Sequence, residues 1–297
     1  MTLEQLRIFI AVAEREHVTA ASQALHLTQS AVSNAIATLE ERYGLKLFDR
    51  VGRGIVLNEY GRLFLAEARA VMARAGQAEA LLADLGTLKT GHLSIYASQT
   101  IASYWLPERL AQFRLLYPAI TLDVQIGNSH EVAEAVTQGQ CEVGLVEGVV
   151  SHPLLQQECI GQDHLTIIAY PTHPLVHKTS ITADDLSQAV WVMREQGSGT
   201  RSSFEDALVQ AGCCAASLNV GMTLPSNEAV LNATQNGVGL AGLSEYVVRT
   251  ALAAGQIVAL DVPLAPRFFQ SLRHRERYHT RTAQAFLALL QTGRTNA

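Results

Sequence analysis

The sequence predicts an α/β protein in two parts: a small helical domain carrying a hairpin, and a larger domain in which strands and helices take turns. Three observations predict it. Apolar residues recur at helical spacing through roughly the first ninety positions. Beyond them, strand-like and helix-like segments alternate to the end of the 297-residue chain. Apolar residues make up 48% and charged residues 16%, which supports real cores and excludes a disordered polyelectrolyte.

In "MTLEQLRIFIAVAERE", Thr2 or a neighbour opens a helix with Leu3, Leu6, Phe9, Ile10 and Ala13 on one face. In "HVTAASQALH", Thr19 can cap a second helix, and Ala20, Ala21, Ala24 and Leu25 allow close packing. A tight turn at Leu27-Thr28 follows. Thr28 can cap a third helix reaching Tyr43, and Gly44 ends it. On a helical wheel Val32, Ile36, Leu39 and Tyr43 fall on one side, and Ser30, Ser33, Asn34, Ala37 and Thr38 on the other. Such short side chains let a helix sink into a DNA major groove, with hydroxyls and amides reaching base edges or phosphates. A solvated face is the plainer alternative, although Glu, Lys and Arg would suit that better.

The next segment, "GLKLFDRVGRGIVLNEYG", reads as a short hairpin. Leu47 and Phe48 plug it to the core, and Arg53 stands at its tip between two glycines. A guanidinium there suits phosphate contact or minor-groove insertion. The spacing therefore gives a winged helix-turn-helix. The net charge of −5 argues weakly against a DNA partner, but location matters more than the sum. Arg42, Lys46, Arg50 and Arg53 cluster with only Asp49 among them. The candidate DNA-contacting residues are Thr28, Gln29, Ser30, Ser33, Asn34, Arg50 and Arg53.

From Asn58 to Leu88 no proline interrupts a single long helix. Phe64, Ala68, Val71, Ala75, Ala78, Leu82 and Leu85 form a heptad seam, which favours packing between two chains over packing on the parent domain. Two winged domains held together can grip two half-sites at once.

Texture changes at Thr90-Gly91. "LSIYA" is followed by "YWLPERLAQFRLLYP", "ITLDVQIG" by "SHEVAEAVTQGQ", and then by "CEVGLVEG", the order of a largely parallel βαβ sheet. A second set runs from "LTIIAY" to "VGLAGLS", and "IVALDV" leads to a strand near Phe268–Leu272 and a last helix. Two lobes with crossings near Glu158–Asp163 and Pro263–Arg267 make a cleft. Ligands of such folds sit at strand ends and helix N-termini. In "ASQTIASYWLP", Ser98, Gln99 and Thr100 lie between a strand and a helix; in "REQGSGTRSSF", Gly197, Ser198, Gly199, Thr200 and Arg201 are the counterpart. Either alone reads as N-capping, and together they make the two jaws of a small-anion site. Glu147 and Ser226 are further wall candidates.

Other classes fall away. No run approaches the ~18 apolar residues of a membrane span. The charged N-terminus is no signal peptide, so a cytoplasmic place is expected. The four cysteines lack CxxC spacing, and Cys213-Cys214 reads as filling before it reads as a redox pair. "GSGT" is not GxSxG, the glycines do not make GxGxxG, and Pro174 opposes a metal-binding helix across His173 and His177. No enzyme, cofactor or metal is expected. A solute-binding sensor without direct promoter control is the alternative.

The segments "LRIFIAVAE", "TAASQALHLTQSAVSNAIATLEERYGLKLFDR" and "LNEYG" resemble the N-terminal domain of the LysR-type transcriptional regulators of bacteria. The match is dense over the first ninety residues or so and looser beyond. One departure is local: many members carry Arg, His or Lys where this chain has Asn34 and Ala37. The resemblance implies a domain at 1–58, a linker and dimerisation helix at 59–89, and an effector domain at 90–297 similar to periplasmic binding proteins. Its lobe I would take residues 90–160 and 267–297, and lobe II 161–266. It also implies promoter DNA as partner, a homodimer doubling to a homotetramer, and RNA polymerase as a further candidate partner. "ASQTIASYWLP" with "REQGSGTR" looks like the branch regulating carbon fixation and sulfur assimilation, which implies a small anionic effector.

Overall fold

The computed structural model describes residues 1–52, 54–84 and 91–292. The chain divides into two compact units, each described by itself.

The N-terminal unit starts with α1 (Leu3–Arg15), α2 (Val18–Leu25) and α3 (Gln29–Tyr43). Thr2 opens α1 with a capping box: its hydroxyl accepts from the Gln5 amide, and the Gln5 side chain accepts from the Thr2 N–H. Its buried side is Leu6, Ile8, Phe9, Val12 and Ala13, while Leu3 is exposed. The cap of α2 is His17, whose Nδ1 accepts from Ala20 N at 3.2 Å. Thr19, expected there, is the second residue of the helix, because the chain enters the helical conformation at Val18. His26 in the left-handed region (φ 55°) makes the turn into α3, which Thr28 caps. Gly44 closes α3 at φ 65°.

A hairpin of β1 (Phe48–Val51) and β2 (Gly54–Leu57) follows, then α4 (Glu59–Asp84). Two carboxylates pin the hairpin. Glu40 of α3 accepts from Leu47 N at 2.9 Å and from Lys46 Nζ at 2.6 Å. Glu16 accepts from Leu57 N at 2.8 Å. Gly61 in the first turn of α4 is needed, since a Cβ there would stand 2.2 Å from the Leu47 carbonyl oxygen. The core joins Leu6, Phe9, Val12, Val32, Leu39, Leu47, Phe48 and Ala68.

The heptad expected along α4 divides. Phe64 and Ala68 pack into the core of their own domain, whereas Val71 and Leu82 are exposed. Leu85 lies outside the described residues, as does Arg53. No helix of the described residues is long and apolar enough to cross a membrane.

In the larger unit, one five-stranded sheet has the order β4-β3-β5-β12-β6. Its members are β3 (Gly91–Ser98), β4 (Ile120–Gly127), β5 (Val143–Glu147), β6 (Leu155–Asp163) and β12 (Arg267–His274). Strand β3 runs parallel to β4 and β5, as the alternating pattern predicts. Strand β12 runs antiparallel between β5 and β6, so the sheet is mixed. Helices α5 (Leu106–Leu116), α6 (Ser129–Gln138) and α11 (Arg281–Thr292) belong to this lobe. Its core packs Leu93, Ile95, Trp105, Phe113, Phe269 and Phe286.

The other lobe carries β7 (Leu165–Ala169), α7 (Ala183–Gln188), β8 (Val190–Arg194), α8 (Gly199–Gln210), β9 (Asn219–Leu224), α9 (Asn227–Gln235), β10 (Ala241–Ser244), α10 (Glu245–Ala253) and β11 (Val258–Ala259). Strands β10 and β11 flank β7 antiparallel, and β8 pairs with β9 in parallel. Trp191 and Phe204 stack in its core with ring centroids 5.3 Å apart.

Candidate functional site

The candidate nucleic-acid face is the outer side of α3. Ser30, Ser33, Asn34 and Thr38 are exposed there, while Val32 and Leu39 anchor the inner side. Tyr43 was expected on the inner side and is 54% exposed, with the Arg42 guanidinium 5.9 Å from its ring centre. The helix has by then passed the end of the core, and Leu47 and Phe48 fill that place from the hairpin. Thr28 and Gln29 are partly committed: the Thr28 hydroxyl caps Ala31 N at 3.2 Å, and the Gln29 amide donates to the Thr19 hydroxyl. Arg42, Lys46 and Arg50 are exposed near the C-terminal end of α3 and on β1.

The second candidate site lies between the lobes of the larger unit. Thr100 follows β3 and leads into a wide π-turn over Ile101–Trp105, and Thr200 is the second residue of α8. Both are buried, and their hydroxyl oxygens stand 3.5 Å apart. Arg267, the first residue of β12, donates to both: Nη1 to Thr200 at 3.1 Å and Nη2 to Thr100 at 3.4 Å. In the antiparallel register Arg267 lies opposite Asp163, the last residue of β6, and the two form an ion pair of 2.6 Å. Ser244, at the end of β10, donates to the other Asp163 oxygen at 2.8 Å. Asn227 Nδ2 donates to Thr100 at 3.0 Å, and Asn227 Oδ1 accepts from Arg194 at 2.6 Å.

A lateral latch runs beside this cluster. Gln99 accepts from Asn227 N at 2.8 Å and donates to Glu228 at 2.7 Å. Tyr104 donates to the second Glu228 oxygen at 3.1 Å. Burial and then that carboxylate push the Tyr104 phenol up to about 12, so it stays a donor at neutral pH. Trp105 is a packing residue, edge-on to Phe269 at 5.5 Å with Arg109 stacked over it at 3.8 Å.

A pocket of about 190 Å³ opens next to the cluster, with Ser129, Glu147, Gly197, Ser198 and Arg201 among its walls. Ser198 also caps α8, accepting from Arg201 N. The Arg201 guanidinium turns to Glu205 at 2.8 Å and to the Arg194 carbonyl at 3.0 Å. Glu147 ends β5 and is 3% exposed. Its Oε2 accepts from the Ser129 hydroxyl at 3.3 Å, and among the described residues its Oε1 has no hydrogen-bond partner. The buried Ser98 hydroxyl is likewise without one.

The predicted effector residues thus divide. Thr100 and Thr200 meet in the cluster, Gln99 serves the latch, and Glu147, Gly197, Ser198 and Arg201 line the pocket. Ser226 caps Ala229 N at 3.0 Å. Sequence reasoning missed the parts played by Arg267, Asp163 and Arg194. A signal existed for two of them: each predicted crossing between lobes ends on one charge, Asp163 and Arg267, of opposite sign.

Comparison with known proteins agrees with this architecture. Residues 3–62 match a model described as the bacterial regulatory helix-turn-helix protein, lysR family, and residues 86–294 match the LysR substrate binding domain. The chain is 36% identical over 262 residues to the transcriptional regulator CysL of Bacillus subtilis, covering 88% of this chain and 87% of that one. It is 32% identical to the RuBisCO operon transcriptional regulator of Allochromatium vinosum, covering 88% and 85%. These relatives match the carbon-fixation and sulfur branch that the motifs suggest. The fold is similar to full-length CbnR complexed with its target DNA, at a TM-score of 0.70, 21% identity, and coverage of 98% and 99%.

Proposed function

The chain belongs to the LysR family of bacterial transcriptional regulators, and from that premise we propose that it senses a small anionic metabolite at the Thr100–Thr200–Arg267 cluster and reads promoter DNA with α3. It is a regulator with a helix-turn-helix and an effector domain, not an enzyme, and the reading as a solute-binding protein without promoter control falls with that.

One observation carries the effector reading. A single guanidinium, on a strand where the chain crosses between lobes, holds one hydroxyl from each lobe. An oxyanion entering there takes the two hydroxyls and one edge of Arg267 as donors. The Thr–Thr contact then lengthens or shortens, and the lobes shift relative to each other. A ligand moves such an equilibrium only by its difference in affinity for the two arrangements, about 5.5 kcal/mol for a full reversal.

On the DNA side, Ser33, Asn34 and Thr38 supply donors and acceptors for base edges, and the cations at Arg42, Lys46 and Arg50, with Arg53, hold phosphates. The proposed assembly is a homodimer paired along the exposed part of α4, doubled to a homotetramer, in the cytoplasm, with RNA polymerase as the partner acted upon.

The test is a thermal-shift screen of inorganic oxyanions and phosphorylated metabolites against the wild type and Thr100→Val, with footprinting of the promoter beside it. A hit should raise the melting temperature of the wild type alone, by mass action on the native state. Thr100→Val should keep its footprint and lose the response. A variant that still responds fully sinks the cluster as the effector site.

A further inference from the structure

The pocket beside Ser198 contains a charge that a plain anion site would not have. Glu147 is buried with one oxygen unpartnered, and its other oxygen has only a long contact to Ser129. The rest of the wall includes the Ser198 hydroxyl, the amide of Gln196 and the positive end of the α8 dipole, while Ser129 gives its proton to Glu147 and Ser202 gives its own to the Ser198 and Gly199 carbonyls. Arg201 does not neutralise Glu147, because its guanidinium is bound to Glu205. The carboxylate has a built place. A Cβ on Gly199, at the start of α8, would come within 2.9 Å of Glu147 Oε2 and 2.3 Å of Ser129 Oγ, so glycine leaves the room that Glu147 occupies.

A buried carboxylate accepts and cannot donate. A ligand made only of acceptors, such as sulfate, would set lone pairs against the Glu147 carboxylate where little water screens them. A ligand with an N–H or O–H at that position completes the carboxylate's hydrogen bonding instead. Leaving a buried acceptor unmet is the strongest basis for discrimination that a site of this size has.

We propose that Glu147 selects the effector: among small oxyanion ligands of the interlobe cleft, it admits those with a proton to donate and rejects fully ionised ones. The donor is the hydroxyl of a protonated oxyanion or an ammonium group on an anionic metabolite; both bring the same hydrogen bond. The proposal rests on the reading of the cleft as the effector site, and it adds the property that distinguishes one anion from another.

The experiment titrates the full-length protein at neutral pH with inorganic phosphate, sulfate and phosphoethanolamine, following binding by calorimetry and thermal shift. Phosphate keeps at least one O–H at this pH, phosphoethanolamine carries an ammonium, and sulfate has neither. At least one donor probe should bind the wild type ~10-fold or more tighter than sulfate. Glu147→Gln should close that gap, since its amide can donate to sulfate. The inference is overturned by a wild type that binds sulfate as tightly as both donor probes, by one that binds none of the three at millimolar concentration, or by a gap that persists in Glu147→Gln. Which donor probe leads tells O–H from N–H. Thr100→Val separates this inference from the reading beneath it. If the gap and its dependence on Glu147 survive in Thr100→Val, the cluster reading fails and selection by Glu147 stands.

Discussion

Glu40 in the N-terminal domain and Glu147 in the effector domain are both buried carboxylates, and their surroundings treat them in opposite ways. Glu40, 6% exposed, has an N–H on one oxygen and an ammonium on the other, both contributed by neighbours six or seven residues along the chain. Glu147, 3% exposed, has one hydroxyl and an unmet oxygen. A carboxylate with its lone pairs answered is a joint: it holds the hairpin to α3. A carboxylate left short costs free energy in the unliganded state and marks a place completed from outside. Glu40 is answered from within its own domain, and Glu147 is not.

The largest test of that contrast removes a group the effector domain does need closed. Arg267→Ala leaves the buried Asp163 with the Ser244 hydroxyl but without its counter-charge and should lower stability by about 3–5 kcal/mol, read by denaturant melts. If the loss is under about 1 kcal/mol, the cluster is not the buried joint described. In the winged domain Glu40→Ala leaves the Leu47 N–H without its acceptor and should cost about 1–3 kcal/mol. Glu40→Gln keeps that acceptor and loses only the pairing with an exposed lysine, so it should cost under about 1 kcal/mol. Equal losses in the two variants would make the charge, and not the hydrogen bond, the pin.

The smallest effect reads the effector domain alone, because all four cysteines lie between residues 141 and 214. Burial pushes the Cys141 thiol up to about 12 and raises that of Cys213, while Cys214 is exposed. Raised thiols hold less thiolate at pH 8, so a disulfide reagent should label Cys214 first and Cys141 only as the lobe opens. An early, fast reaction at Cys141 would show a domain looser than the one described.

The winged domain was legible because its determinants are local. Caps, turn glycine and the two hairpin strands lie within a few residues of what they pair with, and the helix period decides the buried faces; the tie from Leu57 back to Glu16 is the long-range exception. Its misses, Thr19 as a cap and Tyr43 as core, are displacements at helix ends, where neighbours compete for one role. In the effector domain the motifs "ASQT" and "GSGT" were visible, yet the group that joins them was not. Arg267 reaches Thr100 and Thr200 across 167 and 67 residues of sequence. No periodicity carries such a contact; it follows from the register that sets Arg267 opposite Asp163. The mixed sheet was missed for the same reason, since β12 is inserted between β5 and β6 from the far end of the chain.

The outer face of α3 has no lysine or arginine from Thr28 to Glu41. On any chromosome a promoter competes with every other stretch of DNA for the same protein. Grip on wrong sequences grows with the number of phosphates neutralised. A reading helix without cations adds almost nothing to that grip, and what it does add comes only where base edges match. On the proposed reading, the missing charge shortens each stay on irrelevant DNA, so a small number of copies in a cell can keep one operator filled.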